Sequence, residues 1–333
     1  MSLNNTTSVP LSAVTIYPTE IILSGLYCLM AGLVGIGTNS LTIIGISMNK
    51  KLRTPCFTVL LAHAICGWLM ATGFINDGVQ RLGIFMNVLG IRYSRLACYA
   101  MFIPKSISIP PSAIFACVVG LDRMYGIAFP AQYRKYAKRF VAASLVFGGC
   151  VGLGNILAAG LSAPAPITGM IMCYNFFSAF HPAFTRYYTN HNLAFCVLSV
   201  CIYASITSIV KCRQIKSDES SNRFLQTQLS ILPIMQTIMV AYLVFGVCPE
   251  FMVAILALVR NGIYQTKIVL YSSMLKVTSV CTDFFILLWK SKEFKTTIGR
   301  LFRRGNAAVL PAPNTANAKS GSAQAISIHV VQA

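Results

Sequence analysis

Long apolar segments alternate with short polar ones along most of this chain. A helix needs about 20 apolar residues to cross the roughly 30 Å hydrocarbon core of a bilayer. Seven segments reach this length, at approximately 21–48, 55–76, 96–120, 140–163, 191–211, 229–258 and 267–289. The pattern therefore predicts an all-α integral membrane protein, with a bundle of seven transmembrane helices over residues 21–289.

The segments on either side of this bundle have a different character. The tail at 1–20 carries overlapping glycosylation sequons at Asn4 and Asn5, which fit an extracellular terminus. The first apolar segment is too long for the core of a signal peptide, so we expect it to remain in the mature protein. Residues 290–304 predict an amphipathic helix on the membrane surface. Residues 305–333 are rich in small and polar residues, which predicts a disordered cytoplasmic tail.

The composition favours a membrane protein over a soluble one. Hydrophobic residues make up 56% of the chain and charged residues only 11%, whereas soluble domains are about a quarter charged. The 12 cysteines include no CxxC pair and no cluster with histidine at metal-ligand spacing, so no zinc site is expected. The sequence shows no Ser/His/Asp arrangement and no phosphate-binding glycine loop. We therefore expect neither an enzyme nor a cofactor.

The distribution of basic residues predicts the orientation of the bundle. The net charge of +19 would suggest nucleic acid in a soluble protein, but here the basic residues lie in the short segments between apolar runs. Nineteen lie after spans one, three, five and seven, against six on the opposite side. We expect a multi-pass plasma-membrane protein with its N-terminus outside, its C-terminus in the cytosol, membrane lipids around it and no nucleic-acid partner.

An acid next to an arginine ends the third span, in the stretch GLDRMYGIAFPAQY (Gly120 to Tyr133). Asp122 and Arg123 are followed at fixed distances by Pro130 and Tyr133. An arginine buried alone is costly, whereas an adjacent carboxylate can hold it in one rotamer. Taken alone, the pair is equally typical of an interfacial ion pair at the cytosolic end of a span.

Other motifs keep the same order and spacing. They are Asn39 in GTNSL, the basic stretch KKLRTP at 50–55, Pro249 in GVCPE, and DFFILLWKSKEFK at 283–295. Together with the Asp-Arg stretch they resemble the rhodopsin-like G-protein-coupled receptors over about residues 20–302. Within that family the chain is most similar to the nematode chemosensory serpentine receptors of class sx.

The resemblance implies a switch at the cytosolic end of the bundle. Asp122 would hold Arg123 until a heterotrimeric G protein binds, and Pro249 would kink the sixth span to give it a pivot. A merely structural role for the prolines stays open. The resemblance also implies a disulfide between Cys98 and Cys173, the only cysteine of the second outer loop.

Several family positions have changed in this chain. Gly67 replaces the aspartate of span two, and Phe284 replaces the proline of span seven. In the family the span-two aspartate and a span-seven polar residue share a sodium site. With only Asp283 left, a sodium ion near Asp283 and Asn39 is doubtful, and we expect a water-mediated polar network without a metal.

Two lysines suggest an acidic ligand. Lys105 lies 18 residues before Arg123, about 27 Å along a helix and near the outer mouth of the bundle. Together with Lys276 it could line a pocket for a carboxylate. Lys105 could instead extend to the membrane interface, and Glu250 could neutralise Lys276. Nearby aromatic residues, Phe102 and Tyr271, are candidate pocket residues that are more often core.

The sequence therefore predicts a chemosensory G-protein-coupled receptor for an extracellular small molecule or peptide. Two other classes stay open. A channel or transporter would use Lys105, Lys276 and Asp283 as a substrate or proton path. A receptor-like scaffold would reach the cell surface without coupling to a G protein.

Overall fold

The computed structural model describes residues 18–86, 88–89, 92–161, 170–172, 180–216, 233–234, 236–238, 240–256 and 262–309. Within these ranges, seven helices are long and apolar enough to cross a membrane. The sixth span, Gln236–Ile255, overlaps the helix named α6 here, and the helix named α8 follows the seventh span. The helices are α1 (Pro18–Met48), α2 (Pro55–Phe85), α3 (Arg95–Ala128), α4 (Pro130–Leu161), α5 (Pro182–Lys216), α6 (Cys248–Leu256), α7 (Gly262–Lys290) and α8 (Lys292–Val309). The predicted all-α bundle with seven spans is confirmed.

The helices extend further than their apolar segments. α2 continues to Phe85, although the apolar run ends at 76, and α4 begins at Pro130, ahead of the run that starts at 140. Backbone hydrogen bonds extend the helices beyond the ends of the apolar runs. A hydropathy pattern detects only the apolar run and not this extension. Arg81 is one of the six basic residues expected on the outer side, after the predicted span at 55–76. It lies on α2 and is buried.

Helix α3 is the central helix of the bundle. In its most apolar window 78% of the residues are buried, against 22% for α4. It packs against α2, α4 and α5, so side chains along its length meet partners from several helices. Apolar side chains of α4, such as Val146, Leu153 and Leu157, are exposed, as expected of a helix that faces lipid.

A glycine lets α1 and α2 approach closely. A Cβ atom at Gly78 would lie 2.7 Å from the backbone nitrogen of Leu29 and 2.8 Å from the carbonyl oxygen of Gly25. Backbone atoms cannot move aside as a flexible side chain can. Small residues allow this kind of contact between membrane helices.

We expect a Gly78→Ala substitution to lower the free energy of unfolding by about 1–3 kcal/mol, because the added methyl group forces the two helices apart. Gly37→Ala on α1 is the matched control, since a Cβ there has no neighbour within 4 Å. Unfolding in mixed micelles titrated with dodecyl sulfate measures both variants. Equal stability of the two would contradict the close approach at Gly78.

The sixth span contains a local change of helix type. Residues Leu243–Val247 form a π-helical turn, and α6 begins directly after it at Cys248. Pro249, predicted to distort this span, is the second residue of α6. Proline lacks the amide hydrogen that a continuous α-helix needs, and π-helical turns are a common way to accommodate such a break.

The surface helix α8 contacts the bundle through the first part of its apolar face. Phe294 and Ile298 are buried, and the Phe294 ring lies 5.9 Å from the ring of Phe284 on α7. Phe302, one turn further, is exposed. α8 extends to Val309, so the residues just after the predicted end at 304 are helical and do not belong to the tail. Residues 310–333 lie outside the described part.

Two short strands join the all-α bundle at one end. β1 (Arg92–Ser94) precedes α3 and pairs antiparallel with β2 (Met170–Met172), with Tyr93 opposite Ile171. Ser94 also caps α3, since its Oγ accepts a hydrogen bond from the amide of Ala97 at 3.2 Å. The ladder thus ties the segment after α4 to the start of α3.

Candidate functional site

Polar side chains are buried at three levels along the bundle. We name these levels the Arg123 end, the middle cavity around Asp283, and the Lys105 end. Arg123 and Lys105 both lie on α3, about 27 Å apart along its axis. The central helix therefore connects the two polar ends.

At the Arg123 end, an acid, an arginine and a tyrosine form one buried group. Asp122 is 0% exposed and Arg123 is 1% exposed. The guanidinium donates to Asp122 Oδ2 from Nη2 at 2.5 Å and from Nε at 3.1 Å. The Tyr133 hydroxyl lies 3.0 Å from Asp122 Oδ1 and 3.4 Å from Arg123 Nη2. We call these three residues the clasp.

The local sequence explains how Tyr133 reaches the other two residues. Only Phe129 separates α3 from α4, and Pro130 occupies the first position of α4, where its missing amide hydrogen costs nothing. The amide of Tyr133 donates to the carbonyl of Phe129 at 2.9 Å. The tight connection thus directs the tyrosine ring back toward Asp122.

In the middle cavity, a histidine stands between an acid and a serine. His63 Nδ1 lies 3.0 Å from Asp283 Oδ2, and His63 Nε2 lies 3.0 Å from Ser112 Oγ. These residues come from α2, α7 and α3, and they line a small cavity. The sequence reasoning placed Asp283 in a polar network but left His63 among the dispersed histidines.

Asn39 lies at the side of the same cavity. Its Nδ2 donates to the carbonyls of Gly35 at 2.8 Å and Val280 at 2.9 Å, so it fastens α1 to α7. A Cβ atom at Gly67 would come within 2.7 Å of Asn39 Oδ1. The asparagine thus fills space next to the position where the related receptors carry an aspartate.

At the Lys105 end, a buried lysine pairs with an acid that the sequence reasoning did not single out. Lys105 is 3% exposed, and its ammonium donates to Asp77 Oδ2. Arg81, one turn along α2, lies 3.8 Å from the same oxygen and donates to Ser273 Oγ at 3.2 Å. The Lys105 ammonium also lies 4.1 Å from the centre of the Phe74 ring. Lys105 therefore points into the bundle and does not extend to the membrane interface.

The second lysine of the predicted pocket is also paired. Lys276 Nζ lies 2.7 Å from Glu250 Oε1, and Glu250 is buried. Lys105, Arg81, Asp77 and Lys276 line one cavity. The structure thus shows the alternative in which Glu250 neutralises Lys276, and Lys105 is also in an ion pair.

The two aromatic candidates do not line this cavity. Phe102 is buried in a cluster with Cys98 and Phe184. Tyr271 is 46% exposed, while its neighbour Ser272 is 2% exposed and lines the cavity. One residue turns the side chain by about 100° around a helix, which directs Tyr271 outward.

The remaining predicted residues lie partly outside the described ranges. Cys98 is fully buried at the start of α3 and is disulfide-bonded. Its predicted partner Cys173, and the sequons at Asn4 and Asn5, lie outside the described residues, so the pairing and the glycosylation stay predictions. Among the described residues, no group of three or more His, Cys, Asp or Glu could hold a metal ion.

Comparison with known proteins identifies the family of the chain. No curated protein matches the chain. The family of serpentine type 7TM GPCR chemoreceptors, Srsx, matches residues 32–302. That range begins within the first span, includes the other six spans and extends into α8. The family comprises receptors and not enzymes, and the predicted similarity to class sx receptors is confirmed. The chain is a multi-pass membrane protein that belongs to the Srsx family of serpentine chemoreceptors.

Proposed function

We propose that this chemoreceptor binds a small acidic molecule at its Lys105 end and couples to a heterotrimeric G protein at its Arg123 end. In this proposal the Lys105 end and the N-terminus face the exterior of the plasma membrane, and α8 lies on the inner leaflet. The observation that carries the proposal is the clasp, in which Arg123 is fully buried beside Asp122 near the end of the central helix.

The clasp is suited to a two-state switch. Burying a charge is favourable only while its partner stays in place, so Arg123 is stable either inside the clasp or in contact with another acceptor. A G protein segment that offers such acceptors would compete with Asp122 and Tyr133. The closed clasp would thus be the resting state of the receptor.

Ligand binding would act on this switch through a shift in population. A ligand changes the equilibrium only by the difference in its affinity for the two states. The π-helical turn before Pro249 supplies a pivot in the sixth span between the cavity and the clasp. The His63 and Asp283 pair lies between the two ends and would couple α2 to α7.

The proposal predicts that signalling depends on Arg123. In cells that express a panel of G proteins, pools of acidic and neutral metabolites should produce a second-messenger signal with the unmodified receptor. The Arg123→Ala variant should lose that signal at matched surface level. Arg139→Ala is the control, since Arg139 is an exposed basic residue early in α4.

Surface level is measured by labelling an N-terminal epitope on intact cells. Labelling without permeabilisation is the expected result, because the proposal places the N-terminus outside. A receptor that reaches the surface but gives the same signal with and without Arg123 would overturn coupling through the clasp. Substrate flux in vesicles without any G protein would support the transporter class instead.

A further inference from the structure

The cavity at the Lys105 end lies between α2, α3 and α7, with Tyr188 of α5 and Val253 of α6 also in its lining. Its polar lining includes Asp77, Arg81, Lys105, Ser272 and Lys276, and its apolar lining includes the ring of Phe74. A few buried polar groups against an apolar wall are typical of a site that orients one ligand.

The charges around this cavity do not balance. Arg81, Lys105 and Lys276 contribute three positive charges, and Asp77 and Glu250 contribute two negative ones. Moving a proton between Lys105 and Asp77 leaves the net charge of these five side chains unchanged. One positive charge therefore remains without a compensating acid in a largely buried place, which is unfavourable unless a bound group supplies the counter-charge.

Among the residues that the structure describes, no other acid is placed to supply this counter-charge. The sequence contains eight acids in total. Glu20 lies 3.1 Å from Lys267, and Asp283 pairs with His63 in the middle cavity. The other described acids outside the cavity are Asp122 in the clasp and Glu293 on α8, while Asp218 and Glu219 lie outside the described ranges. Within the described ranges, a bound ligand is thus the remaining source of negative charge.

Two buried polar atoms in the lining lack a hydrogen-bond partner. Asp77 uses Oδ2 for Lys105, while its Oδ1 has none. The hydroxyl of Ser272 also has none, although Ser272 is 2% exposed. A buried carboxylate oxygen without a donor is costly, and only an N–H or O–H group can satisfy it.

We infer that the cavity binds a small organic monoanion that carries a neutral hydrogen-bond donor, such as a hydroxyl, close to its carboxylate. The carboxylate neutralises the excess positive charge beside Arg81. The neutral donor satisfies Asp77 Oδ1, and the Ser272 hydroxyl donates to the oxygen of that same group. This inference specifies the ligand class of the receptor proposed above and so rests on that proposal.

A set of four probes on one carbon skeleton tests the inference. Leucic acid has both the negative charge and the hydroxyl. Isocaproic acid lacks the hydroxyl, and the primary amide of leucic acid lacks the negative charge. Leucine carries a positively charged ammonium in place of the hydroxyl. Binding to the purified receptor in lipid nanodiscs is measured from the concentration dependence of its thermal stabilisation. Leucic acid should bind about tenfold more tightly than each of the other three, because each lacks one feature that the cavity requires.

Two variants assign the effect to the cavity. Ser272→Ala should weaken the binding of leucic acid about fivefold to tenfold and leave the binding of isocaproic acid unchanged within about twofold. Arg81→Gln should remove the preference for leucic acid over its amide. Ser279→Ala on the same helix is the control, since Ser279 lines the middle cavity. This variant should change the affinity for neither leucic acid nor isocaproic acid.

Several results would overturn the inference. Tightest binding of leucine would mean that Asp77 recognises a cation, and equal binding of the amide would mean that the excess charge plays no part. Absence of stabilisation by all four probes would also reject it. Since the binding assay contains no G protein, a failure of G-protein coupling does not affect the inference about the cavity. A failure of leucic acid to bind, in turn, leaves the signalling test on Arg123 intact.

Discussion

An Asp122→Ala variant is expected to lose about 3–5 kcal/mol of folding free energy, because the guanidinium of Arg123 then stays buried without its carboxylate. The cost is large because neither side chain can reach water: Asp122 is 0% exposed and Arg123 is 1% exposed. Unfolding of the purified protein in mixed micelles measures the loss.

Two further variants separate the charge pair from its surroundings. Tyr133→Phe removes only the hydroxyl that contacts Asp122 and should cost about 1 kcal/mol. Replacing both Asp122 and Arg123 by uncharged residues of similar size should recover most of the stability, since buried pairs are often replaceable as a unit. A single Asp122→Ala variant as stable as the unmodified protein would show that the clasp is not a buried ion pair.

The same substitution connects stability to the proposed function. If the closed clasp is the resting state, losing Asp122 removes stabilisation from that state alone. A shift of a few kcal/mol is enough to move a two-state equilibrium from mostly closed to mostly open. The Asp122→Ala variant should therefore signal more strongly without ligand than the unmodified receptor at equal surface level.

An Asp77→Ala variant is expected to lose a similar amount, about 3–5 kcal/mol, for a related reason. Asp77 is the acid that faces both Lys105 and Arg81, so the variant leaves two neighbouring cations in a buried place. A second substitution, Lys105→Met, should restore much of the loss by removing one of these charges. The same unfolding measurement applies.

The ion pair between Glu20 and Lys267 provides the matched control. It joins α1 to α7, but its side chains are 21% and 28% exposed. Water screens such a pair, so Glu20→Ala should cost less than about 1 kcal/mol. Equal costs for Asp77→Ala and Glu20→Ala would contradict a buried, charged environment at the Lys105 end.

The number of spans and the pairing of Asp122 with Arg123 could be predicted from the sequence because both depend on nearby residues. A bilayer requires long apolar helices, so hydropathy alone identifies them. Asp122 and Arg123 are adjacent, and Tyr133 follows after 11 positions across a one-residue connection. Contacts at this range are constrained by the chain itself.

The partners of Lys105 and Asp283 could not be predicted in the same way. Asp77 lies 28 positions from Lys105 on another helix, and their contact depends on how α2 and α3 are rotated about their axes. An apolar pattern barely defines this rotation for helices that are apolar on every face. One signal was available, since Asp77 and Arg81 are four residues apart and so share one face of α2.

The π-helical turn at Leu243–Val247 has a consequence for the register of the sixth span. A π-helical turn holds one residue more than an α-helical turn, so its conversion would shift the register of the preceding segment by one residue. One residue corresponds to about 100° of rotation about the axis. Side chains such as Ile238 would then face different neighbours, while Glu250 keeps its contact with Lys276. The sixth span can thus change its inner face by twisting, without any break in the helix.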